Sequence, residues 1–217
     1  MNYFAHALPF LDDPYFAAGT GVPDWLSVVD RRVRLRVKHV EPFLADPDPI
    51  LAAVAGGTRQ HLADDAKFHE SRAFAESTLA MTVLVRDALG GETGLRPGFL
   101  GHLLVEVLLD ATLLAEHPDE LQRYHRLLES IDPAAVERAV NRMAPRPTQR
   151  LAPMIFHFTR ERILSDYLED GRLLGRLSQV MRRVGLEPLP EGFAVVLPPA
   201  RRLVEGRREE LLEGIPA

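Results

Sequence analysis

Apolar positions recur at helical rather than strand spacing along most of the chain, and Gly and Pro supply the punctuation. In FLGHLLVEVLLDATLLAEH the only polar side chains between Gly101 and Ala111 are His102, Glu106 and Asp110, spaced by four and four on a cylinder of Leu and Val. That pattern predicts a largely buried helix from Phe99 to Glu116, stopped before Pro118. Residues 49–89 are mostly good helix formers interrupted at Gly56-Gly57, which predicts a short helix, a break, and a long helix from Thr58, as N-cap, to Leu89. The segment GGETGLRPG, residues 90–98, reads as a loop. Further helices are expected over Pro118 to Ile131, Pro133 to Met143, Ala152 to Val184 (ended by Gly185) and Ala200 to Glu213, the last anchored by Leu203, Leu211 and Leu212. Within the first 25 residues, Asp13-Pro14 starts a turn, and Gly19, Gly21 and Pro23 oppose a long helix, so a loop-rich opening, irregular or briefly helical, is expected. No β-alternating run exceeds Arg32 to Val37, and there is no internal repeat. The reading is all-α, one helical domain over residues 1–217.

Composition narrows the chemistry. The 217 residues, 46% hydrophobic and 26% charged, suffice for a real core, and a net charge of -5 argues against a nucleic-acid or membrane partner. With Cys 0, disulfides, thiolate nucleophiles and sulfur-ligated metals are removed together. No apolar run approaches the roughly 18 residues of a membrane span. MNYFAHALPFLDDPYF has neither the basic leader nor the cleavage site of a signal peptide, so a cytoplasmic protein is expected.

Two carboxylates and an imidazole in line on an apolar helix need compensating cations, because an unpaired buried ion costs several kcal/mol. His61, Asp65 and His69 repeat the device at i, i+4 and i+8 on the preceding helix. Two such lines facing each other would form a cage of six N and O ligands, His61, Asp65, His69, His102, Glu106 and Asp110, with His6 and Asp24 as further candidates. A sulfur-free set of this kind suits Mn, Mg or Fe. The competing readings are a solvated face for the first line, a salt-bridge network to Arg59, Arg72 or Arg86, and a satisfied core histidine at His102. In RRVRLRVK, the residues Arg31, Arg34, Arg36 and Lys38 could receive an anionic substrate or acidic partner, or be a solvated face above packed Val and Leu. His157, among aromatic residues, reads as core; His39, His117 and His125 read as surface.

In several features the chain resembles the acyl carrier protein phosphodiesterase family, metal-dependent phosphohydrolases similar to the helical HD-domain superfamily. It opens with MNYFAH where that family has MNFLAH, continues with Gly19, Asp24 and Trp25 in a Gly-x4-Asp-aromatic segment, and has Gly57, His61, Asp65 and His69 in a Gly, His, acid, acid pattern. Glu106 and Asp110 stand where the family has Asp-x3-Asp, and RILSDYLEDGRLLGRLSQVMRR resembles its Tyr-bearing helix pair. Leu62 and Ala63 replace an Arg pair of the family, His69 and Glu106 replace Asp, and His102 is added.

The resemblance implies an HD-like fold and hydrolysis of a phosphodiester, the family's own being the phosphopantetheine link of acyl carrier protein. A divalent ion would activate water and polarise a phosphoryl oxygen. Asp24 or Asp64 would orient or deprotonate that water, and His6 or His157 would protonate the leaving group. The extra imidazoles point to an alternative, a di-iron HD-like oxygenase; the other is a non-catalytic helical module.

Overall fold

The computed structural model describes residues 1–90 and 94–216, and over these the chain is all-α. The helices are α1 (Tyr3–Ala7), α2 (Pro14–Val29), α3 (Val37–Val40), α4 (Pro49–Glu70), α5 (Arg72–Ala88), α6 (Pro97–Glu116), α7 (Pro118–Ser130), α8 (Pro133–Met143), α9 (Leu151–Arg160), α10 (Asp170–Arg183), α11 (Leu197–Glu205) and α12 (Arg208–Leu211). Of the loop expected over residues 90–98, residues 91–93 lie outside the described residues. The helices gather into two compact units. Unit I is built from Asn2–Ala66 and His117–Ile163, unit II from Met1, Lys67–Glu116 and Leu164–Ile215. Each is assembled from separated stretches, so no single linker in the sequence marks a boundary.

In unit I the opening carries, besides the brief α1, a 16-residue helix α2 that the expectation of an irregular or briefly helical opening did not include. Asp13 has extended backbone and its Oδ1 accepts from the Phe16 N–H at 3.0 Å, while Pro14 takes the first helical position. From that cap α2 runs through Gly19, Gly21 and Pro23 to Val29. The glycines serve close packing rather than a turn. A Cβ on Gly19 would stand 2.6 Å from the Val54 carbonyl oxygen, and one on Gly57 would collide with the carbonyl oxygen of Phe16. The expected break at Gly56-Gly57 is therefore the contact face of an unbroken α4. Thr58, expected as an N-cap, lies inside α4 and donates its hydroxyl to Gly19 O at 3.1 Å. Buried aromatic rings fill the unit: Tyr3 and Phe158 lie 4.7 Å apart between centroids, and Trp25 meets Phe158 edge-on at 5.5 Å. The alternating run from Arg32 forms no strand: it leaves a turn at Arg31-Arg32 and continues without regular structure to α3, with Val33 and Leu35 buried and Arg32, Arg34 and Arg36 exposed.

In unit II the helix expected to reach Leu89 is interrupted at Ser71, whose extended backbone breaks the run and whose Oγ accepts from the Phe74 N–H at 3.1 Å. Helix α6 packs on α5 and α11. Its 20 residues contain an 18-residue window of mean hydropathy 1.6, long and apolar enough by length and composition to cross a bilayer, contrary to the expectation from the sequence, but 67% of that window is buried inside the protein. The helix expected over 152–184 is two, α9 in unit I and α10 in unit II. Arg162 takes a left-handed φ of 45° after α9, and a 3-10 turn over Ile163–Leu168 precedes α10. The last helix starts earlier than expected, at Leu197, with proline in its first turn, and divides into α11 and α12; Val204 and Leu211 are the buried anchors.

Candidate metal centres

The Gly19–Gly57 approach sets the first centre, in unit I, because it carries the α2 backbone against the side chains of α4. His61 Nδ1 donates to Thr20 O at 2.8 Å; a carbonyl oxygen only accepts, so the ring hydrogen is on Nδ1. The other nitrogen, Nε2, faces Asp65 Oδ2 at 3.5 Å, one helical turn along α4. His6, on α1, stacks on His61 with ring centroids 4.0 Å apart and planes at 29°. Its Nε2 stands 3.3 Å from Asp65 Oδ1 and its Nδ1 3.6 Å from Asp64 Oδ2. His6 is fully buried, yet neither of its ring nitrogens makes a hydrogen bond among the described residues. Asp64 is also buried and accepts from Gln60 Nε2 at 2.8 Å. Burial pushes the Asp65 carboxyl pKa up, and the imidazoles of His6 and His61 outweigh it, holding the group ionised well below the usual carboxylate range. One nitrogen from each of His6 and His61 and one Asp65 oxygen lie within 4.8 Å of one another, a separation suited to ligands of one ion.

This centre borders a pocket of about 380 Å³ whose lining includes Asp24, Arg31, Arg34, His61 and Asp65. Asp24 follows Thr20 by one turn of α2. Arg31 is tied back by its Nε–H to Ser27 O at 3.2 Å, and the buried Val33 and Leu35 anchor the segment on either side of Arg34. Arg36, expected with Arg31 and Arg34, stands outside that lining: it precedes α3, and its backbone N–H donates to His39 Nδ1 at 3.2 Å.

The second centre lies in unit II, where His69 at the end of α4 meets His102 and Glu106 of α6. His69 Nε2 is 2.8 Å and His102 Nε2 3.3 Å from the same oxygen, Glu106 Oε1. The Met1 amino-terminal nitrogen also donates to that oxygen, at 3.3 Å. Burial raises the Glu106 pKa, but His102, His69 and the amino terminus together bring it down to about 2. The two imidazoles stack at 5.1 Å and 26°, and Phe74 packs edge-on against both at 4.9 Å.

The expected six-ligand set thus divides. His61 and Asp65 gather with His6, named above both as a further candidate ligand and as a proton donor; His69, His102 and Glu106 form their own group; Asp110 is fully buried and belongs to neither. Of the arginines offered as salt-bridge partners, Arg72 pairs with Glu76 at 2.6 Å, while Arg59 and Arg86 are exposed. His157 is exposed rather than core, because it lies on the outer side of α9 while Ile155 and Phe158 turn inward. His125 is buried rather than surface, and burial, then the charge of Arg162, lowers its pKa.

Comparison of the chain with protein-family models, with curated proteins and with solved structures found no match.

Proposed function

We propose that the chain is a metal-dependent phosphohydrolase acting on a phosphodiester, the activity that its likeness to acyl carrier protein phosphodiesterases implies. The observation that carries this reading is the single pocket in which His61 and Asp65 share a wall with Arg31, Arg34 and Asp24. The residues fit a divalent cation: His61 has its hydrogen committed to Thr20, which leaves Nε2 for a ligand, and both nitrogens of buried His6 lack a hydrogen bond. Held by His6, His61 and Asp65, such an ion supplies Lewis acidity and water activation near neutral pH.

The side chains around it divide the remaining work. The guanidinium groups of Arg31 and Arg34 bind the phosphoryl oxygens, for which their planar donor geometry is suited. They bring from the segment after α2 the positive charge that Leu62 and Ala63 do not provide on α4. Asp24, on the pocket wall, orients the attacking water and takes its proton. Asp64 is a positioning residue: its carboxylate faces His6 Nδ1 and favours the tautomer that leaves Nε2 for a ligand. Arg36 and Lys38, exposed just beyond, extend the basic segment toward an acidic partner such as acyl carrier protein.

The test is hydrolysis of bis-p-nitrophenyl phosphate, and of holo acyl carrier protein, by chelator-stripped protein reloaded with Mn, Mg or Fe. Activity that returns with metal and is lost in His61→Ala supports the reading; no turnover with any of these metals overturns it. A second reading, an iron oxygenase, is favoured by the donor set itself, since two histidines and one carboxylate suit non-haem iron. Oxygen consumption by the Fe(II) form without phosphodiester hydrolysis would select it.

A further inference from the structure

The geometry points to a second cation site on unit II, formed by His69, His102 and Glu106, that takes a borderline divalent ion of the Zn(II) or Co(II) type and shares no ligand with the first. Three observations carry it. The donor atoms already converge: His69 Nε2 and His102 Nε2 lie 2.8 and 3.3 Å from one carboxylate oxygen, and one ligand atom from each residue falls within 4.8 Å of the others. Ligands at about 2.0–2.1 Å from a tetrahedral ion are about 3.4 Å from one another, so small side-chain shifts bring these three onto one centre.

The imidazoles are also held in place before any ion arrives. His69 and His102 stack on each other, Phe74 packs its ring against both, and Phe68 adds an edge contact to His69 at 5.6 Å. Ring packing of this kind fixes the direction of the nitrogens and lowers the ordering cost of binding.

The site is open as well. The side chains of His69 and His102 are 33% and 45% exposed, while Glu106 is 17% exposed. A solvated approach follows, along which an ion would displace the Met1 amino group from Glu106 Oε1, 3.3 Å away, whereas both histidines of the first centre are buried. Two imidazoles with one carboxylate, the donor set of the first centre as well, favour borderline ions such as Zn(II), Co(II) or Fe(II) over Mg(II) or Ca(II), which take all-oxygen sets; the exposure of this site is what sets it apart from the first. A bound ion would join the end of α4 to the middle of α6 and add a metal link to the packing of unit II.

The test is a titration of the full-length, chelator-stripped chain with Co(II) alone, read by visible absorption and by equilibrium dialysis. His102→Ala and His69→Gln are compared with His61→Ala, and circular dichroism checks that each variant folds. The wild type is expected to bind two equivalents, and His102→Ala and His69→Gln each to lose one. The lost site should weaken by more than about 100-fold, beyond the 10–100-fold that a merely supporting residue costs. His61→Ala should keep this site and lose the other. Unchanged stoichiometry and affinity in folded His102→Ala and His69→Gln would overturn the inference and leave a hydrogen-bonded cluster. If His61→Ala binds as the wild type does while His102→Ala loses an equivalent, this site stands and the phosphohydrolase reading loses its metal.

Discussion

His61 and Thr20 are joined by a 2.8 Å hydrogen bond from the imidazole Nδ1 to a backbone carbonyl, so a residue of α2 decides which ring nitrogen of α4 is left for chemistry. The bond exists because Gly19 and Gly57 let the two backbones meet. Packing and chemistry in the first centre thus share one cause.

A side chain at the contact should damage both. Gly57→Ala puts a methyl against the carbonyl oxygen of Phe16 and 2.8 Å from the backbone nitrogen of Thr20. We expect a loss of about 1–3 kcal/mol, the usual cost of overpacking, together with weaker metal binding at His61. Urea denaturation and a metal titration of the same variant check this.

Asp64 and Asp65 are adjacent but should behave differently. Asp65→Asn removes a ligand and should weaken the first metal by more than about 100-fold, whereas Asp64→Asn loosens only the orientation of His6 and should cost about 10–100-fold. Competition against a chromogenic chelator separates the two; equal losses would mean that Asp64 is itself a ligand.

Arg34 tests the pocket without touching the core, since its side chain is exposed. Arg34→Ala should raise KM for a phosphodiester about tenfold, equivalent to about 1.4 kcal/mol, and leave kcat and the melting temperature nearly unchanged. A drop in kcat with KM constant would place the guanidinium in the transition state instead.

Acid should find out the second centre. Glu106 has its pKa lowered from 4.5 to about 2 in the folded chain, so the native state binds fewer protons than the unfolded state between those values. Its contribution is complete above about pH 4.5 and is lost as pH falls toward 2; the size is about 3 kcal/mol at most. In chelator, Glu106→Gln should be less stable than the wild type at neutral pH and should lose less stability on acidification. Parallel acid limbs for the two proteins would contradict the assignment.

Much of this fold is written in local signals. Pro118 and Pro133 each open a helix, as proline at a first helical position should, and Gly185 closes α10 with φ of 78°; Pro97, expected in the loop, opens α6 two residues before the expected start at Phe99. The Leu and Val of α6 announce its burial. Glycine was the ambiguous letter: at 19, 56 and 57 it reads locally as a helix breaker, and only the close approach of α2 to α4 shows why helices tolerate it there. The same limit applies to the centres. His61, Asp65 and His69 follow one i+4 line, but that line drifts about 40° per step. By His69 it has turned about 80° away from His61, and distant segments decide what each residue meets. His6 and Asp65 come together across 58 intervening residues, and no spacing rule in the sequence announces such a pair.

The proposed activity depends on His6, His61 and Asp65 binding one divalent cation beside Arg31 and Arg34. Anomalous scattering from crystals of the Mn-loaded chain tests it most directly. A peak is expected about 2.0–2.3 Å from a nitrogen of each histidine and an Asp65 oxygen. A map with no peak there, or with manganese only at His69, His102 and Glu106, would contradict it.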